Sequence, residues 1–411
     1  MHFRSKTIRF LVNILILTVF YGSTARASNL WEIQSIDTMK YSRDLAREKL
    51  NDKAFEEVVD AQVKEIALTG ATHVAIGTPY DEEFIPFLVR WVNAARKHNL
   101  KVWYRGNFSG WEGWFSYPKI SRAEHYTLTS DFLKAHKAIF QNGDIFSPCP
   151  ECENGGPGDP RVNGDIAGHR EFLINEYKLT KSFFKTLGKG VLSNILSMNM
   201  DVALLVMDKE TTAAMGGVVS VDHYVPSSEK LTKDILALAE KSGGRIVLGE
   251  LGAPIPDLHG DLNEKEQAAW INNALVGLSR SPNVLGINYW VGRGGSTKIW
   301  KNDGTPTQAV EVLTSFFSPK IVVGSVVDEL GNSISGVLVT GNTKVAASDF
   351  TGNFKLSVVE ETTFKFEHPD YKVLIATVSD ASQDLHITLI QKNETLWFRI
   401  QKFFKKLIKD F

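Results

Sequence analysis

The sequence predicts an α/β chain: a (β/α)8 barrel over residues 29–316, a small all-β sandwich over 320–392 and a C-terminal amphipathic helix over 394–411. Three observations point to this. Short runs rich in Val, Ile and Leu alternate with longer amphipathic stretches throughout the first region. Beyond Ser318 the chain changes to short strands separated by turn residues. The last stretch segregates apolar from basic residues at helical spacing.

The barrel strands are expected at 33–39, 72–77, 101–104, 144–148, 191–197, 218–224, 245–249 and 284–289. Each is nearly free of charge, as strands buried on both faces must be. Helices are expected between them at 44–68, 84–98 and 264–279, the first with Phe55, Val58, Val59, Val63 and Ile66 at helical spacing. An open doubly wound sheet would carry a glycine-rich phosphate loop after its first strand. Here the first strand runs into Lys40-Tyr41-Ser42-Arg43-Asp44, with no glycine.

The sandwich strands are expected at 321–327, 337–340, 344–347, 354–359, 363–367, 373–378 and 386–390. In the final segment Leu396, Trp397, Ile400, Phe403, Phe404, Leu407, Ile408 and Phe411 share one helical face, and Arg399, Lys402, Lys405, Lys406 and Lys409 share the other. This is the pattern of an interfacial helix on an anionic membrane. Docking of the aromatic face onto the sandwich or the barrel is the alternative.

The N-terminal residues stand outside the fold. Arg4, Lys6 and Arg9 precede an apolar run over 10–21, and Ala25-Arg26-Ala27 has the small-x-small form of a cleavage site. The run is shorter than the roughly 20 residues that span a bilayer. Residues 1–27 are therefore read as a secretory signal peptide, with an uncleaved anchor as the alternative. In both cases the chain is expected to be exported, secreted or held at the cell surface.

Composition narrows the function. The 411 residues carry a formal net charge of -1, which gives no reason to expect a nucleic-acid partner. The two cysteines, Cys149 and Cys152, are spaced C-x-x-C with no second pair and no nearby histidine pair, so no metal site is expected. In an oxidising compartment they form a candidate disulfide that stiffens their loop; two packed thiols are the plainer reading.

Reactive groups in a parallel barrel stand at the C-terminal ends of the strands. The fourth strand is followed by Cys149-Pro150-Glu151-Cys152-Glu153, and the seventh by Gly249-Glu250-Leu251-Gly252. Strands four and seven face each other across the mouth, so both deliver a carboxylate to one rim. Two such groups about 5–5.5 Å apart can flank a glycosidic bond as proton donor and nucleophile.

On these residues the barrel resembles the clan-A retaining glycoside hydrolases, whose acid/base ends strand four and whose nucleophile ends strand seven. Gly249-Glu250-Leu251-Gly252 is similar to the Gly-Glu-x-Gly nucleophile motif. The resemblance implies Glu250 as nucleophile and Glu151 as acid/base, with Glu153 as the alternative acid/base. Asp222-His223-Tyr224 falls where such enzymes place the aromatic hydroxyl that bonds the nucleophile, and Asn288-Tyr289-Trp290 falls at the platform tryptophan. Substrate contacts are accordingly expected from Arg105, Trp111, His223, Tyr224, Tyr289 and Trp290, with Asp37 and Lys40 as weaker candidates. Many clan members carry Asn before the acid/base, where this chain has Pro150. The resemblance implies hydrolysis of a polysaccharide or cell-surface glycan without a cofactor. A silent barrel that binds glycan or a surface partner is the alternative. Gly324-Ser325-Val326-Val327-Asp328 and Asp349-Phe350-Thr351-Gly352-Asn353-Phe354 resemble the carboxypeptidase regulatory-like domain, which implies a structural or attachment module.

Overall fold

The computed structural model describes residues 29–411 except 157, 343, 360–361, 379–383, 393–398 and 402–411. The segment read as a signal peptide and nearly all of the segment read as a terminal amphipathic helix therefore lie outside the described residues.

Eight parallel strands form one sheet: β1 Ile33–Asp37, β2 His73–Ile76, β3 Lys101–Tyr104, β4 Ile145–Phe146, β5 Ser197–Asn199, β6 Val218–Asp222, β7 Arg245–Leu251 and β8 Val284–Tyr289. Their order is β4-β3-β2-β1-β8-β7-β6-β5. A parallel bridge between Ile145 and Leu192 closes the ring, with Phe146 N–H donating to Leu192 O at 2.8 Å and Leu192 N–H to Asp144 O at 2.9 Å. The expected fifth strand at 191–197 is the largest difference from the sequence reading. Only Leu192 pairs early, and regular pairing starts at Ser197, so the strand that reaches the mouth ends at Asn199.

Each strand position contributes one side chain to an interior plug: Ile33, Ala75, Trp103, Ile145, Ile195, Val218, Val247 and Leu285. The opposite strand faces pack against the helices. Helix Phe55–Leu68 buries Phe55, Val59, Val63 and Ile66 at the spacing the sequence shows. The helix expected over 44–68 is interrupted, because Asp52 turns the chain by accepting from Ala54 N–H at 3.0 Å. Burying each such apolar side chain is worth about 1.5–3 kcal/mol, which holds the helix against the strands.

The sandwich comprises β9 Lys320–Asp328, β10 Leu338–Gly341, β11 Lys344–Ala347, β12 Asn353–Val358, β13 Thr362–His368, β14 Tyr371–Val378 and β15 Leu385–Leu389. Two sheets, β11-β10-β13-β14 and β12-β9-β15, enclose Val322, Val326, Val339, Phe354, Phe364 and Phe366. In the Asp349-x-x-Gly turn, Gly352 adopts φ 81°, and a Cβ there would lie 2.6 Å from Val326 O, so only glycine fits. The sandwich joins the floor of the barrel, where the strands begin. Phe317 O accepts from Gln34 Nε2 at 2.9 Å, and Ser318 Oγ donates to Thr69 O at 3.3 Å. Asn342 Nδ2 contacts Ser279 Oγ at 3.5 Å, and Val359 packs into the barrel core. The site described next lies at the other end of the strands.

Candidate active site

Side chains from four strands converge on one guanidinium. Arg105, the residue after β3, is 1% exposed. Its Nη1 donates to Asp37 Oδ2 at 2.8 Å and to Glu250 Oε1 at 3.0 Å. Its Nη2 donates to Ser197 Oγ at 3.1 Å and to Asp222 Oδ2 at 3.2 Å. Asp37, Asp222 and Glu250 lie at the C-terminal ends of β1, β6 and β7, and Ser197 opens the short β5. Asn288 of β8 adds Nδ2 donation to Asp37 Oδ2 at 3.2 Å and to Gly249 O at 2.8 Å. The second Glu250 oxygen accepts from Tyr224 OH at 2.8 Å. Both carboxylate oxygens are thus fixed by donors, which orients the group and favours its charged form.

One cation facing three carboxylates sets the electrostatics. Burial works against charge on Arg105, but Asp222, Glu250 and Asp37 together hold its pKa well above the ordinary value. Burial raises Glu250; Arg105 pulls it back, and the like charge of Glu151 pushes it up again. Burial also raises Asp37 and, more strongly, Asp222. Tyr224 is raised by burial and by the adjacent Glu250, so it remains a phenol that donates.

Glu151 comes from the loop after β4 and sits at φ 48°, ψ 52°, in the left-handed region. Its N–H donates to Ser197 O at 2.6 Å, tying this loop to β5. Its pKa is raised by burial, lowered by Arg105 and raised by Glu153. Glu153 is committed elsewhere: Oε1 accepts from Asn199 N–H at 2.6 Å and Asn199 Nδ2 at 3.0 Å, fastening the loop to the end of β5. Cys149 and Cys152 flank Glu151, are buried and are paired as a disulfide with Cα atoms 5.2 Å apart.

Several expected substrate contacts take other positions. Arg105 has no exposed face, and both of its terminal nitrogens donate to the protein's own Asp37, Glu250, Ser197 and Asp222. Trp111 is 1% exposed, stacked on Phe172 at 5.0 Å and edge-on to His125 at 4.8 Å, so it offers no face to a sugar. Tyr289 is buried and its OH donates to Thr297 O at 2.7 Å, since β8 turns it outward against the helices. His223 points away from Glu250 and bonds Asp234 through Nε2 at 2.9 Å. Tyr224 and Trp290 do meet at the mouth, edge to face at 6.2 Å, and Lys40 Nζ lies 5.4 Å from the Trp290 ring.

The sequence reading missed Asp222, Ser197, Asn288 and Glu112. Asp222 and Asn288 lie at the ends of β6 and β8, where strand-end position was the available signal, and Ser197 closed the expected fifth strand although it opens the observed one. Glu112 had no such signal. It accepts from Asn107 Nδ2 at 2.7 Å, and Asn107 Oδ1 in turn meets His125 Nε2 at 2.8 Å. His125 Nδ1 lies 2.8 Å from Glu176 Oε1, with both groups fully buried. Burial, helped by Glu151, raises the Glu112 carboxyl to about 8. No group of His, Cys, Asp and Glu fit to hold a metal ion occurs among the described residues.

No family model matches the chain, and no curated protein sequence matches it. Among solved structures it is similar to a variant of GH5_18 from Bifidobacterium longum subsp. longum in complex with Manb1-4GlcNAc, with a TM-score of 0.53 and 14% identity over 74% of this chain and 84% of that one. It is also similar to GH5_18 from Streptomyces cattleya in complex with GlcNAc, with a TM-score of 0.51 and 15% identity over 74% of this chain and 85% of that one. These likenesses agree with the parallel barrel and its chain order.

Proposed function

We propose that the chain is a retaining glycoside hydrolase acting on a carbohydrate of a polysaccharide or cell-surface glycan. The observation that carries the reading is the Glu250 carboxylate, held at the barrel mouth by Arg105 and Tyr224 and facing the charge of Glu151. Glu250 attacks the anomeric carbon while protonated Glu151 donates to the departing oxygen. Glu151 then takes a proton from water, which attacks the same carbon and frees Glu250. Arg105 and the Tyr224 hydroxyl keep the nucleophile charged and aimed. The raised Glu151 carboxyl suits a group that must hold a proton in the first step. The attachment of Glu153 to Asn199 favours Glu151 as acid/base. Trp290 supplies an indole beside Tyr224 for a sugar face. The carbohydrate ligands of the two similar structures fit this substrate class.

Glu250→Gln is the first test. The neutral amide keeps the shape and removes the nucleophile, so turnover on a glycan panel falls by several orders of magnitude. Retention of more than about a tenth of activity rejects the assignment. Glu151→Ala slows glycosides with poor leaving groups far more than activated aryl glycosides, which leave without a proton. Equal loss on both classes points to a structural Glu151 instead. A wild-type chain that binds glycans but turns over none supports the silent-barrel reading, for which Pro150 is the motivating residue.

The same proposal has the chain exported through residues 1–27 and held at an anionic membrane by 394–411, with the sandwich as the attachment module. Co-sedimentation with anionic liposomes of the full mature chain, but not of a chain ending at Lys392, is the expected result.

A further inference from the structure

One arc of the barrel mouth can be followed by contacts alone, from the candidate nucleophile round to the candidate acid/base. Glu250 accepts from Tyr224, and Tyr224 meets Trp290, whose ring faces Lys40. Lys40 belongs to the short helix Met39–Ser42 that follows β1. Its Nζ pairs with Asp44 Oδ2 at 3.1 Å, and Asp44 Oδ1 accepts from Arg43 Nε at 2.8 Å. The Arg43 guanidinium covers the ring of Trp114 at 4.5 Å. Burial raises the carboxyls of Glu151 and Glu112, and the charge of Arg43 pulls both back, which sets this cation beside the acid/base. Two tryptophans, each with its own cation, therefore stand on one arc of the rim, and both cations come from the segment after β1.

The arc carries more positive charge than its own residues cancel. Among the described residues, Asp44 alone forms ion pairs with Lys40 and Arg43, and it serves both. Glu112 keeps its proton up to about 8, and Glu151 holds one as the acid of the proposed reaction. Arg43 uses Nε on Asp44, while no described residue accepts from its Nη1 or Nη2, and both cationic side chains remain partly open to solvent. A planar fork with two nitrogens to offer matches the paired oxygens of a carboxylate, sulfate or phosphate. The aromatic wall beneath it is fixed in advance. After Trp114, Phe115 at φ 54° and Ser116 at φ 63° both take left-handed backbone, which residues with a Cβ retain only where neighbours impose it. Phe115 packs on Phe84 at 4.7 Å, and Arg47 covers the Phe115 ring at 4.9 Å while its Nη1 donates to Phe115 O at 2.9 Å. Trp114 and the guanidinium on it therefore need little ordering when a ligand binds.

We propose that this arc binds an oxyanion carried by the sugar, with Arg43 as its bidentate partner and Lys40 beside it, so that the glycan taken by the barrel is an acidic one. The oxyanion is a uronate carboxylate, a sulfate ester or a phosphate ester; the three share the geometry that the fork recognises. A neutral sugar uses only the faces of Trp114 and Trp290. An acidic sugar uses those faces and the surplus charge as well. The proposal rests on the glycosidase reading of the mouth and adds to it a substrate class and the residue that selects it.

The test measures binding to the full mature chain carrying Glu250→Gln, so that turnover does not consume the probe. The probes are oligosaccharides in matched pairs: a uronate and its methyl ester, a sulfate ester and the free hydroxyl, a phosphate ester and the free hydroxyl. The acidic member of at least one pair binds about tenfold or more tighter than its neutral partner, and the preference shrinks as salt is raised. The pair that shows the preference identifies the anion. Arg43→Gln lowers the acidic-to-neutral ratio about tenfold at an unchanged melting temperature. Arg43→Lys keeps the charge but loses the fork, and lowers the ratio by less. Equal binding of both members of every pair, or no binding of any acidic glycan, overturns the proposal, as does a ratio that Arg43→Gln leaves unchanged. Turnover by the wild-type chain separates this outcome from that of the enzyme reading. Hydrolysis of glycans without acidic preference leaves the glycosidase and removes the anion site. Arg43-dependent binding of acidic glycans that are never cleaved leaves the anion site and removes the glycosidase.

Discussion

Arg105 confronts Asp37, Asp222 and Glu250 with a single positive charge, all inside the barrel mouth. Removing one partner of a buried ionic group costs more than the group contributes, because the rest stay buried without compensation. Arg105→Met is therefore expected to lower unfolding stability by about 3–5 kcal/mol and to abolish turnover; chemical denaturation and kinetics measure both. Glu112 gives a second prediction at this scale, with a defined sign. Its carboxyl titrates at about 8 in the fold against an ordinary 4.5. Between these values the folded chain holds a proton that the unfolded chain has lost. The contribution is thus complete below 4.5 and is lost as pH rises through 8. Glu112→Gln should flatten the fall of stability with pH across that window, by no more than about 1.4 kcal/mol per pH unit. An unchanged slope in denaturant titrations at several pH values would reject a protonated Glu112.

The loop between β4 and β5 decides how the second carboxylate is presented. Glu151 sits at positive φ, a conformation that costs a non-glycine residue of order 1 kcal/mol and persists only when neighbours impose it. Three ties impose it here: the Glu151 N–H to Ser197 O bond, the two bonds from Asn199 to Glu153, and the Cys149–Cys152 pair. Replacing both cysteines by serine should leave the barrel folded and lower turnover on poor leaving groups at least about tenfold, with a smaller loss on activated glycosides, because proton donation depends on position. Equal activity on both classes would show that the hydrogen bonds alone hold the loop. The two carboxylates themselves were readable from the strand-end rule. The Cys149–Cys152 pairing was readable as a candidate; the ties to Ser197 and Asn199 were not, because each joins residues more than forty positions apart in the chain.

At the scale of the whole molecule, barrel and sandwich meet at the floor, away from the chemistry. A chain ending at Phe317 should keep its turnover on soluble substrate. It should lose thermal stability, since Val359 leaves the barrel core and a buried Val is worth about 1.5–3 kcal/mol at most. A large loss of turnover with an intact melting transition would refute the separation of the two parts.

The sequence by itself determined the alternation of strands and helices, the change to a sandwich at Ser318, and the two strand ends that carry Glu151 and Glu250. These follow from local periodicity and from the rule that parallel strands deliver their last residues to one rim. The tertiary structure alone decided which neighbours those residues meet. Arg105 turned inward to bind carboxylates, Trp111 and Tyr289 packed into the interior, and half-buried Glu112 joined a hydrogen-bonded chain running through Asn107 and His125 to Glu176. Strand position fixes the rim a residue reaches; the direction of its side chain and the partners that satisfy it depend on contacts with distant segments, which local pattern does not encode.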